Sequence, residues 1–293
     1  MEVLKIGSKG DAVKTLQMLL QKNGYVVATN GIFEQKTEDI VETFQNDKGL
    51  EPDGVVGKAT WDALLKTDNT PTKINDTRFV LPLKNYYQEP QPKTAIVLHH
   101  TNGWVVVKGT KDQPSMNHFN WWKSTDIHVS TPYSIDYKGN IYEHFDPKYW
   151  AYHLGIGGSK KFLDKQSIGI ELTNEGYMKK IDGKFFWYSG EVAIPYNRPN
   201  DEPVFVEKGW RGYNWFAPYS KEQFESTLFL VKYLCNEFGI KKNFIEDCEY
   251  HPELLDGFEG IYNHANVRGY PENPKWDLSP AFNYKTFGEK LRQ

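Results

Sequence analysis

The sequence has little cysteine, no long apolar run and almost no net charge, and each absence excludes a class of protein. Its two cysteines, Cys235 and Cys248, lie far from any CxxC pair, which excludes a disulfide scaffold, and the helical pattern around Cys235 predicts a buried free thiol. No apolar segment reaches the length of a transmembrane helix, so membrane insertion is not expected. The net charge of −3 offers no attraction for nucleic acid or an anionic membrane surface.

The N-terminal stretch MEVLKIGSKGDAVKTLQ has no apolar segment of the kind found in a Sec-type signal peptide, which predicts synthesis in the cytoplasm. What is present is the composition of a globular protein, with 39% hydrophobic and 25% charged residues. A chain of 293 residues has room for one large domain, or for a small and a medium one. Aromatic residues reach 15%; such rings line carbohydrate or peptide clefts but also fill cores.

Residues 1–66 carry the pattern of a small three-helix domain. DAVKTLQMLLQKNGY and TEDIVETFQNDKGL have apolar residues at helical spacing and a terminal glycine, and ATWDALL predicts a third helix. The predicted inward-facing residues are Val13, Leu16, Leu19, Leu20, Ile40, Val41 and Phe44, and the glycines are Gly24 and Gly49. The turns GIFEQKT at 31–37 and GVVGKAT at 54–60 each end in a threonine that we expect to be an N-cap, which indicates an internal half-repeat.

The segment NGIFEQKTEDIVETFQNDKGLEPDGVVGKATWDALL resembles the peptidoglycan-binding module built on a three-helix core. Its ending, LxxDGxxGxxTWxAL over residues 50–64, is a specific signature, and the resemblance covers nearly all of residues 4–66. It implies a domain whose partner is bacterial cell-wall peptidoglycan, without assigning the ligand-binding residues. The polar stretch TDNTPTKINDTR, residues 67–78, is typical of a linker.

Residues 79–293 change to short β segments with helices between them. TAIVLHH, STPYSIDYKGNIYEHF and QSIGIELTN predict strands, the second as a hairpin around YKGN. SKEQFESTLFLVKYLCNEFGI predicts a long helix, with a capping box formed by Ser220 and Gln223 and an end at Gly239. This mixture favours an α+β or α/β class, with a mixed sheet flanked by helices. Residues 177–217, rich in Tyr, Trp, Gly and Pro, read as an insertion of functional surface, without clear regular structure beyond a hairpin in DGKFFWYSG. Their aromatic content favours a wall of the substrate groove.

The stretch TAIVLHHTNG, residues 94–103, ends an apolar strand in two histidines. Alternation puts His99 on the face of Val97 and His100 on the opposite face, so only one of the pair can enter a given site. Catalytic zinc sites take three protein ligands. In the C-terminal stretch YNHANVRGYPENPKWDLSPAFNY, Lys275 and Asp277 project to the same side if extended, although a surface ion pair is the simpler alternative.

Together, IVLHHT, SIGIEL and KWDLSPAF resemble the zinc N-acetylmuramoyl-L-alanine amidases related to peptidoglycan recognition proteins, over residues 93–290. In that family the last motif reads KxDPGPxF, so Leu278 and Ser279 replace Pro-Gly. The resemblance implies that a zinc ion is bound by the side chains of His99, His264 and Asp277. His251, in CEYHPEL, remains an alternative to His264 as the second histidine ligand.

The resemblance also implies roles for four further residues. Glu171, which alternates with Ile168 and Ile170 and so faces away from them, would be the acid–base residue, and Lys275 would stabilise the oxyanion. Thr131 occupies the hairpin position at which some relatives carry a catalytic tyrosine. His153, in WAYHLGIGG, matches a family histidine that lies near the substrate and does not bind the metal; support of a metal ligand, or packing, is the alternative.

The implied activity is cleavage of the amide between N-acetylmuramic acid and L-alanine by zinc-activated water. An inactive peptidoglycan-binding protein, a stem-peptide peptidase, and a fold resemblance with structural histidines and no metal are the alternatives. The lack of a signal peptide in an enzyme of this kind is typical of phage endolysins, which reach the cell wall after a holin opens the membrane. We expect the protein to be a monomer. A host autolysin and an injected toxin remain open, and no nucleic-acid partner is expected.

Overall fold

The structure, a computed structural model, describes residues 2–23, 25, 27–65, 73–74, 79–102, 117–189, 191–198, 201–270, 272 and 275–293. The chain divides into two compact units, Met1–Thr70 and Pro71–Gln293. Most of the predicted linker at 67–78, and the predicted helix end at Gly24, lie outside the described residues. No helix in the described part of the chain combines the length and apolar composition needed to cross a bilayer.

The first unit contains the three predicted helices, α1 (Asp11–Lys22), α2 (Gln35–Asp47) and α3 (Lys58–Leu65). Each turns an apolar stripe inward, as the helical spacing predicts. The buried side chains of this core include Val13, Leu16, Leu20, Val41, Phe44, Trp61 and Leu64, while Leu19 and Ile40 are only partly buried against it. A helical N-terminal domain is therefore confirmed.

The predicted half-repeat exists, but its threonines are not N-caps. Each lies inside the first turn of a helix that begins two residues earlier, at Gln35 and Lys58. Thr60 is instead bound by the buried Gln45 side chain, which also donates to Val55 O (3.0 Å) and accepts from Gly54 N (2.9 Å). In the other half, Gln17 accepts from Gly31 N (2.8 Å) and donates to Ile32 O (2.9 Å) and to Thr37 Oγ1 (3.5 Å). In each half, a buried glutamine therefore binds both the backbone of the turn and the threonine hydroxyl.

The second unit is built on a six-stranded mixed sheet in the order β1-β4-β3-β5-β2-β11. Its strands are β1 (Lys73–Ile74), β2 (Ala95–His100), β3 (Tyr133–Ile135), β4 (Ile141–Glu143), β5 (Ser167–Leu172) and β11 (Gly260–Asn263). Strands β11, β2, β5 and β3 run parallel, and β3 and β4 form the predicted antiparallel hairpin. The helices of this unit are α4 (Asn117–Ser124), α5 (Phe162–Gln166), α6 (Lys221–Phe238) and α7 (Tyr284–Arg292). A mixed sheet with helices is confirmed.

The two faces of this sheet pack against different helices, because side chains alternate along each strand. Leu98 and Ile170 belong to a core completed by Val231 of α6 and Phe287 of α7. On the other face, Val97 packs in a separate cluster with the α5 residue Leu163 and with Leu254 and Tyr262. His99 follows Val97 onto that second face, whereas His100 follows Leu98 onto the first.

Helix α6 begins and ends where the sequence predicts, but only half of its capping box forms. Ser220 accepts a hydrogen bond from Gln223 N at 3.0 Å, and Gly239 ends the helix with φ +67°. The Gln223 side chain is buried and donates to the carbonyl oxygens of Ile135 (3.1 Å) and Thr173 (3.0 Å), while its own oxygen accepts no hydrogen bond from Ser220 N. Burial against the sheet therefore redirects it. Cys235 on this helix and Cys248 are both buried free thiols, as expected for Cys235.

The insertion is regular, which corrects the expectation of an irregular surface stretch. It forms a five-stranded antiparallel sheet in the order β8-β7-β6-β10-β9. Its strands are β6 (Tyr177–Ile181), β7 (Lys184–Ser189), β8 (Val192–Pro195), β9 (Val204–Trp210) and β10 (Tyr213–Phe216). The segment DGKFFWYSG, predicted to hold a hairpin, supplies the turn and the second strand of the β6–β7 hairpin, whose first strand precedes it. Charged and exposed positions within these strands hide the strand pattern, since only part of each is buried.

Candidate active site

The parallel strands of the main sheet bring distant residues to one edge. His99 lies at the penultimate position of β2, and its register partner on the adjacent β5 is Glu171. His264 directly follows β11, the neighbour of β2 on the other side. Because the carboxyl ends of parallel strands meet at the same edge, these three side chains converge, at the edge where ligands bind in open α/β sheets.

His99, His264 and Asp277 form a compact group of donor atoms. The Nδ1 atoms of the two histidines are 3.0 Å apart, and Asp277 Oδ2 lies 3.2 Å from His99 Nδ1 and 3.0 Å from His264 Nδ1. All three residues are buried, and within the described part of the chain they are the only such group of His, Cys, Asp or Glu donors. Tetrahedral zinc with bonds near 2.0–2.1 Å separates its ligand atoms by about 3.3 Å. The residues therefore fit a zinc ion in donor type, number and spacing.

The other nitrogen of each ligand histidine is also engaged. His264 Nε2 lies 2.8 Å from Leu154 O, so it carries the proton and leaves Nδ1 unprotonated. His99 Nε2 lies 2.9 Å from His153 Nδ1. Such partners orient metal-binding imidazoles in known sites. The contacts of the two Nε2 atoms therefore also support the fit of these residues to a zinc ion.

The charge states within the group suit metal ligation, which takes neutral imidazole and ionised carboxylate. Burial lowers the pKa of His99 to about 4. Burial alone would raise the pKa of Asp277, but the two imidazoles beside it and the charge of Lys275 outweigh burial and hold that pKa well below its usual range.

Two other histidines considered from the sequence lie outside this group. His100 is buried on the opposite face of β2, where Nδ1 is 2.7 Å from Tyr219 Oη and Nε2 is 2.9 Å from Asn102 Oδ1. His251 is bound to Asp247, with Nε2 2.9 Å from Oδ1, and is partly exposed. Its burial opposes a charge, yet the Asp247 and Glu253 carboxylates outweigh burial and raise the pKa of His251.

Glu171 is partly buried and lines a cavity that His99, His264 and Asp277 also line. Its Oε2 atom is shielded and has no hydrogen-bond partner among the described residues. Burial raises the pKa of this carboxyl to about 8, and the negative charge of Asp277 adds to the effect while Lys275 opposes it. A carboxyl group with these properties can take up and return a proton near neutral pH.

The remaining predicted site residues also line the cavity. Lys275 is held through its backbone carbonyl, which accepts from the guanidinium of Arg211. Thr131 is buried, and its hydroxyl donates to Tyr133 O at 2.8 Å. His153 reaches His99 and Ser167. The departure from the family motif after Asp277 is accommodated, because Leu278 joins the main core and Tyr219 holds Ser279 N at 3.3 Å.

The cavity has a volume of about 530 Å³ and an aromatic wall. The sequence predicted a contribution from the insertion, but the helix residues of this wall were not predicted. His118, Trp121 and Trp122 of α4 contribute to it, and Trp187 enters from β7 of the insertion. The i, i+3, i+4 spacing of the first three residues was a usable signal, since such positions share a helix face. No local pattern marked Trp187, because its position depends on how the insertion folds.

Comparison with known proteins gives two family matches. Residues 9–64 match the family model of a peptidoglycan binding domain, and residues 89–280 match that of N-acetylmuramoyl-L-alanine amidase. An uncharacterised protein from Kitasatospora aureofaciens is 41% identical over 61 residues, which are 20% of this chain and 52% of that protein. The chain thus spans about half the length of this curated relative.

Solved structures with similarity to this chain include proteins of both kinds. A peptidoglycan-binding protein from Clostridioides difficile is 41% identical over 22% of this chain and 40% of that chain, with a TM-score of 0.21. The N-acetylmuramoyl-L-alanine amidase LysC from Clostridium intestinale is 15% identical over 75% of this chain and 96% of that chain, with a TM-score of 0.39. Since the amidase family model matches more than half of the 293 residues, the chain belongs to the N-acetylmuramoyl-L-alanine amidase family.

Proposed function

We propose that this protein is a peptidoglycan hydrolase that cleaves the amide between N-acetylmuramic acid and the L-alanine of the stem peptide. The observation that carries the proposal is the convergence of His99, His264 and Asp277 with Glu171 and Lys275 around one cavity. Family membership supports the same reaction. The cavity volume of about 530 Å³ suits a substrate segment of a few residues or sugar rings.

Under this proposal, the side chains of His99, His264 and Asp277 hold a zinc ion. When bound, zinc supplies Lewis acidity, which polarises a carbonyl oxygen and makes hydroxide available near neutral pH. The two imidazoles are neutral and Asp277 carries one negative charge, so the three ligands offset only one of the two positive charges of the zinc ion. The residual positive charge favours a site that stabilises an anionic transition state.

Glu171 is the proposed general base and acid. Its carboxylate accepts a proton from the attacking water and returns one to the departing amine of L-alanine. The shielded position of Oε2 supports this role, because it keeps the carboxyl poorly solvated and so brings its pKa near neutral pH. Lys275, on the same cavity wall, offers a fixed cation to the oxyanion that develops at the former carbonyl.

The aromatic wall is the proposed binding surface for the sugar and peptide that flank the amide. Trp121 is 51% exposed although it lines the cavity, which suits a ring that stacks on a substrate. The N-terminal unit, matched to a peptidoglycan binding domain, is proposed to hold the enzyme on the polymer and so to raise the local substrate concentration.

Product analysis of digested peptidoglycan tests the proposal. The full-length protein, loaded with zinc, is expected to release intact stem peptides with a free N-terminal alanine, without new reducing sugar ends. The Asp277→Ala variant is expected to lose this activity together with stoichiometric zinc. Asp256→Ala is the matched control, because that carboxylate is 83% exposed and bonds only Lys160 among the contacts described.

The rival functions predict different products. A stem-peptide peptidase would release amino termini from residues within the stem, and an inactive recognition protein would bind the wall without releasing any. Either result with the zinc-loaded protein would refute the amidase proposal. The prediction of a phage endolysin role stays separate from this test, since it concerns biological origin and not chemistry.

A further inference from the structure

The two-residue segment His153–Leu154 contacts both proposed ligand histidines, in each case at Nε2. The side chain of His153 meets His99 Nε2 at 2.9 Å, and the carbonyl oxygen of the next residue, Leu154, meets His264 Nε2 at 2.8 Å. These are the nitrogens that face away from the donor group. The orientation of both histidines therefore depends on where this segment is held.

Asp164 of α5 holds that segment. Its Oδ1 accepts from the backbone amides of His153 (2.8 Å) and Leu154 (2.9 Å), and the residue is only 1% exposed. Two hydrogen bonds to one buried carboxyl oxygen fix the positions of both backbone amides.

The hydrogen bond of Ser167 determines which atom donates in each of the contacts that lead from Ser167 through His153 to His99. Ser167 Oγ donates to Leu163 O at 2.6 Å, so its proton is used there. His153 Nε2, 2.9 Å from the same Oγ, must then donate to it. A neutral imidazole with a proton on Nε2 has only an acceptor at Nδ1, so His99 must donate from Nε2. His99 Nδ1 is left with a bare lone pair pointing at the donor group.

The sequence makes room for this chain of contacts at Gly169. A Cβ atom there would lie 3.2 Å from His153 Nδ1 and 2.6 Å from Thr131 Cγ2. Glycine therefore leaves room for the His153 ring beside β5, where it contacts both Ser167 and His99. The backbone of Gly169 is not in the left-handed region, so close approach, not φ, is the reason for glycine here.

We propose that His153, Ser167 and Asp164 form a positioning relay that holds His99 and His264 as the tautomers with unprotonated Nδ1 atoms, ready to bind zinc. The inference rests on the proposed metal site, but it concerns residues that make no contact with the metal. Without the Ser167 acceptor, His153 can place its proton on Nδ1 and donate to His99 Nε2. His99 then carries its proton on Nδ1, which blocks the donor group.

Zinc affinity of the full-length protein is the first test. With the zinc-free protein and Zn²⁺ in competition with a chromophoric chelator, Ser167→Ala is expected to weaken binding about 10–100-fold, the usual effect of losing a partner behind a metal ligand. Ser134→Ala is the matched control, because Ser134 Oγ makes the same kind of buried contact, 2.7 Å from His144 Nε2. Its affinity should stay within about threefold of wild type. Equal affinities for wild type and Ser167→Ala would overturn the relay.

Two replacements of His153 separate hydrogen bonding from packing. His153→Asn retains an acceptor near the position of Nδ1 and should keep zinc affinity close to wild type, whereas His153→Leu should lose about 10–100-fold. In the His153→Asn background, Ser167→Ala should have no further effect, because its influence passes only through His153. A further loss in that double variant would show that Ser167 acts by another route and would refute the proposed sequence of contacts.

Nitrogen-15 NMR of the histidines in the zinc-free protein reads the tautomers directly. The wild type is expected to show His99 and His264 protonated at Nε2, and Ser167→Ala to move His99 alone toward Nδ1 protonation. Unchanged tautomers in a folded Ser167→Ala protein would overturn the inference. Failure of the wild type to bind Zn²⁺ at all would instead refute the proposed function, so the two failures are distinguishable.

Discussion

Lys93, just before β2, allows a sharp prediction about pH and stability. The residue is 6% exposed, and its ammonium donates to the carbonyl oxygens of Lys165 (2.7 Å) and Ser167 (3.3 Å). Burial lowers its pKa from 10.5 to about 7. Between these two values the unfolded chain binds a proton that the folded chain does not, so the free energy of unfolding rises with pH across this window.

The size of the effect follows from the shift. Each pH unit well inside the window adds up to about 1.4 kcal/mol, which gives a rise of about 2 kcal/mol from about pH 7 to about pH 9. Lys93→Met removes this dependence. It also leaves two carbonyl oxygens without a donor, at a cost of about 1–3 kcal/mol each. The two effects oppose each other at neutral pH, so the slope with pH is the decisive quantity and the absolute stability is not.

Urea unfolding of the zinc-free protein at several pH values measures this slope. Tryptophan fluorescence suits the assay, because Trp61 is the only tryptophan in residues 1–70 and the other eight of nine report on the second unit. Lys241→Met, at a lysine that is 65% exposed, is the control and should parallel wild type. Parallel curves for wild type and Lys93→Met would show that Lys93 is not perturbed and would refute the reasoning.

Three further predictions concern the site and the N-terminal unit. Glu171→Gln should retain zinc but lower kcat on soluble muramyl peptides about 10²–10⁴-fold; an unchanged kcat would exclude Glu171 as the base. Gly169→Ala forces a Cβ to within 2.6 Å of Thr131 Cγ2 and should cost about 1–3 kcal/mol in urea unfolding, a loss that a well-tolerated variant would contradict. Gln45→Ala leaves Gly54 N without its acceptor, which should cost about 1–3 kcal/mol; it should reduce sedimentation with insoluble wall without changing cleavage of soluble fragments.

Short-range patterns predicted much of the fold. The helical spacing of Val13, Leu16 and Leu20, the hairpin around YKGN and the Ser220 cap all concern residues within a few positions of each other, where backbone preference and one buried face decide the outcome. The threonine N-caps were wrong. Both helices begin two residues before the threonine, and the hydroxyls of Thr37 and Thr60 are bound by the buried side chains of Gln17 and Gln45, which lie 20 and 15 residues away in the sequence.

The insertion shows where local patterns fail. Its strands carry exposed charged residues, such as those of β9, so neither strict alternation nor a continuous apolar run marks them. Their order, β8-β7-β6-β10-β9, depends on pairing between segments far apart in the chain. Trp187 consequently reaches the cavity without any signal in its own neighbourhood.

By itself, the sequence determined that His99 and His100 face opposite sides of a strand and that Glu171 faces away from Ile168 and Ile170. Alternation of side chains is a property of the extended backbone and needs no knowledge of the fold. Only the tertiary structure decided which histidine joins His99, because His264 lies 165 residues away and Asp277 lies 178 residues away. Parallel pairing of β11 with β2 brings His264 to about 3 Å from His99, and the hydrogen bond from Ala265 N to Asp277 O (2.7 Å) holds Asp277 at the same place. His251 is instead bound to Asp247, outside the donor group.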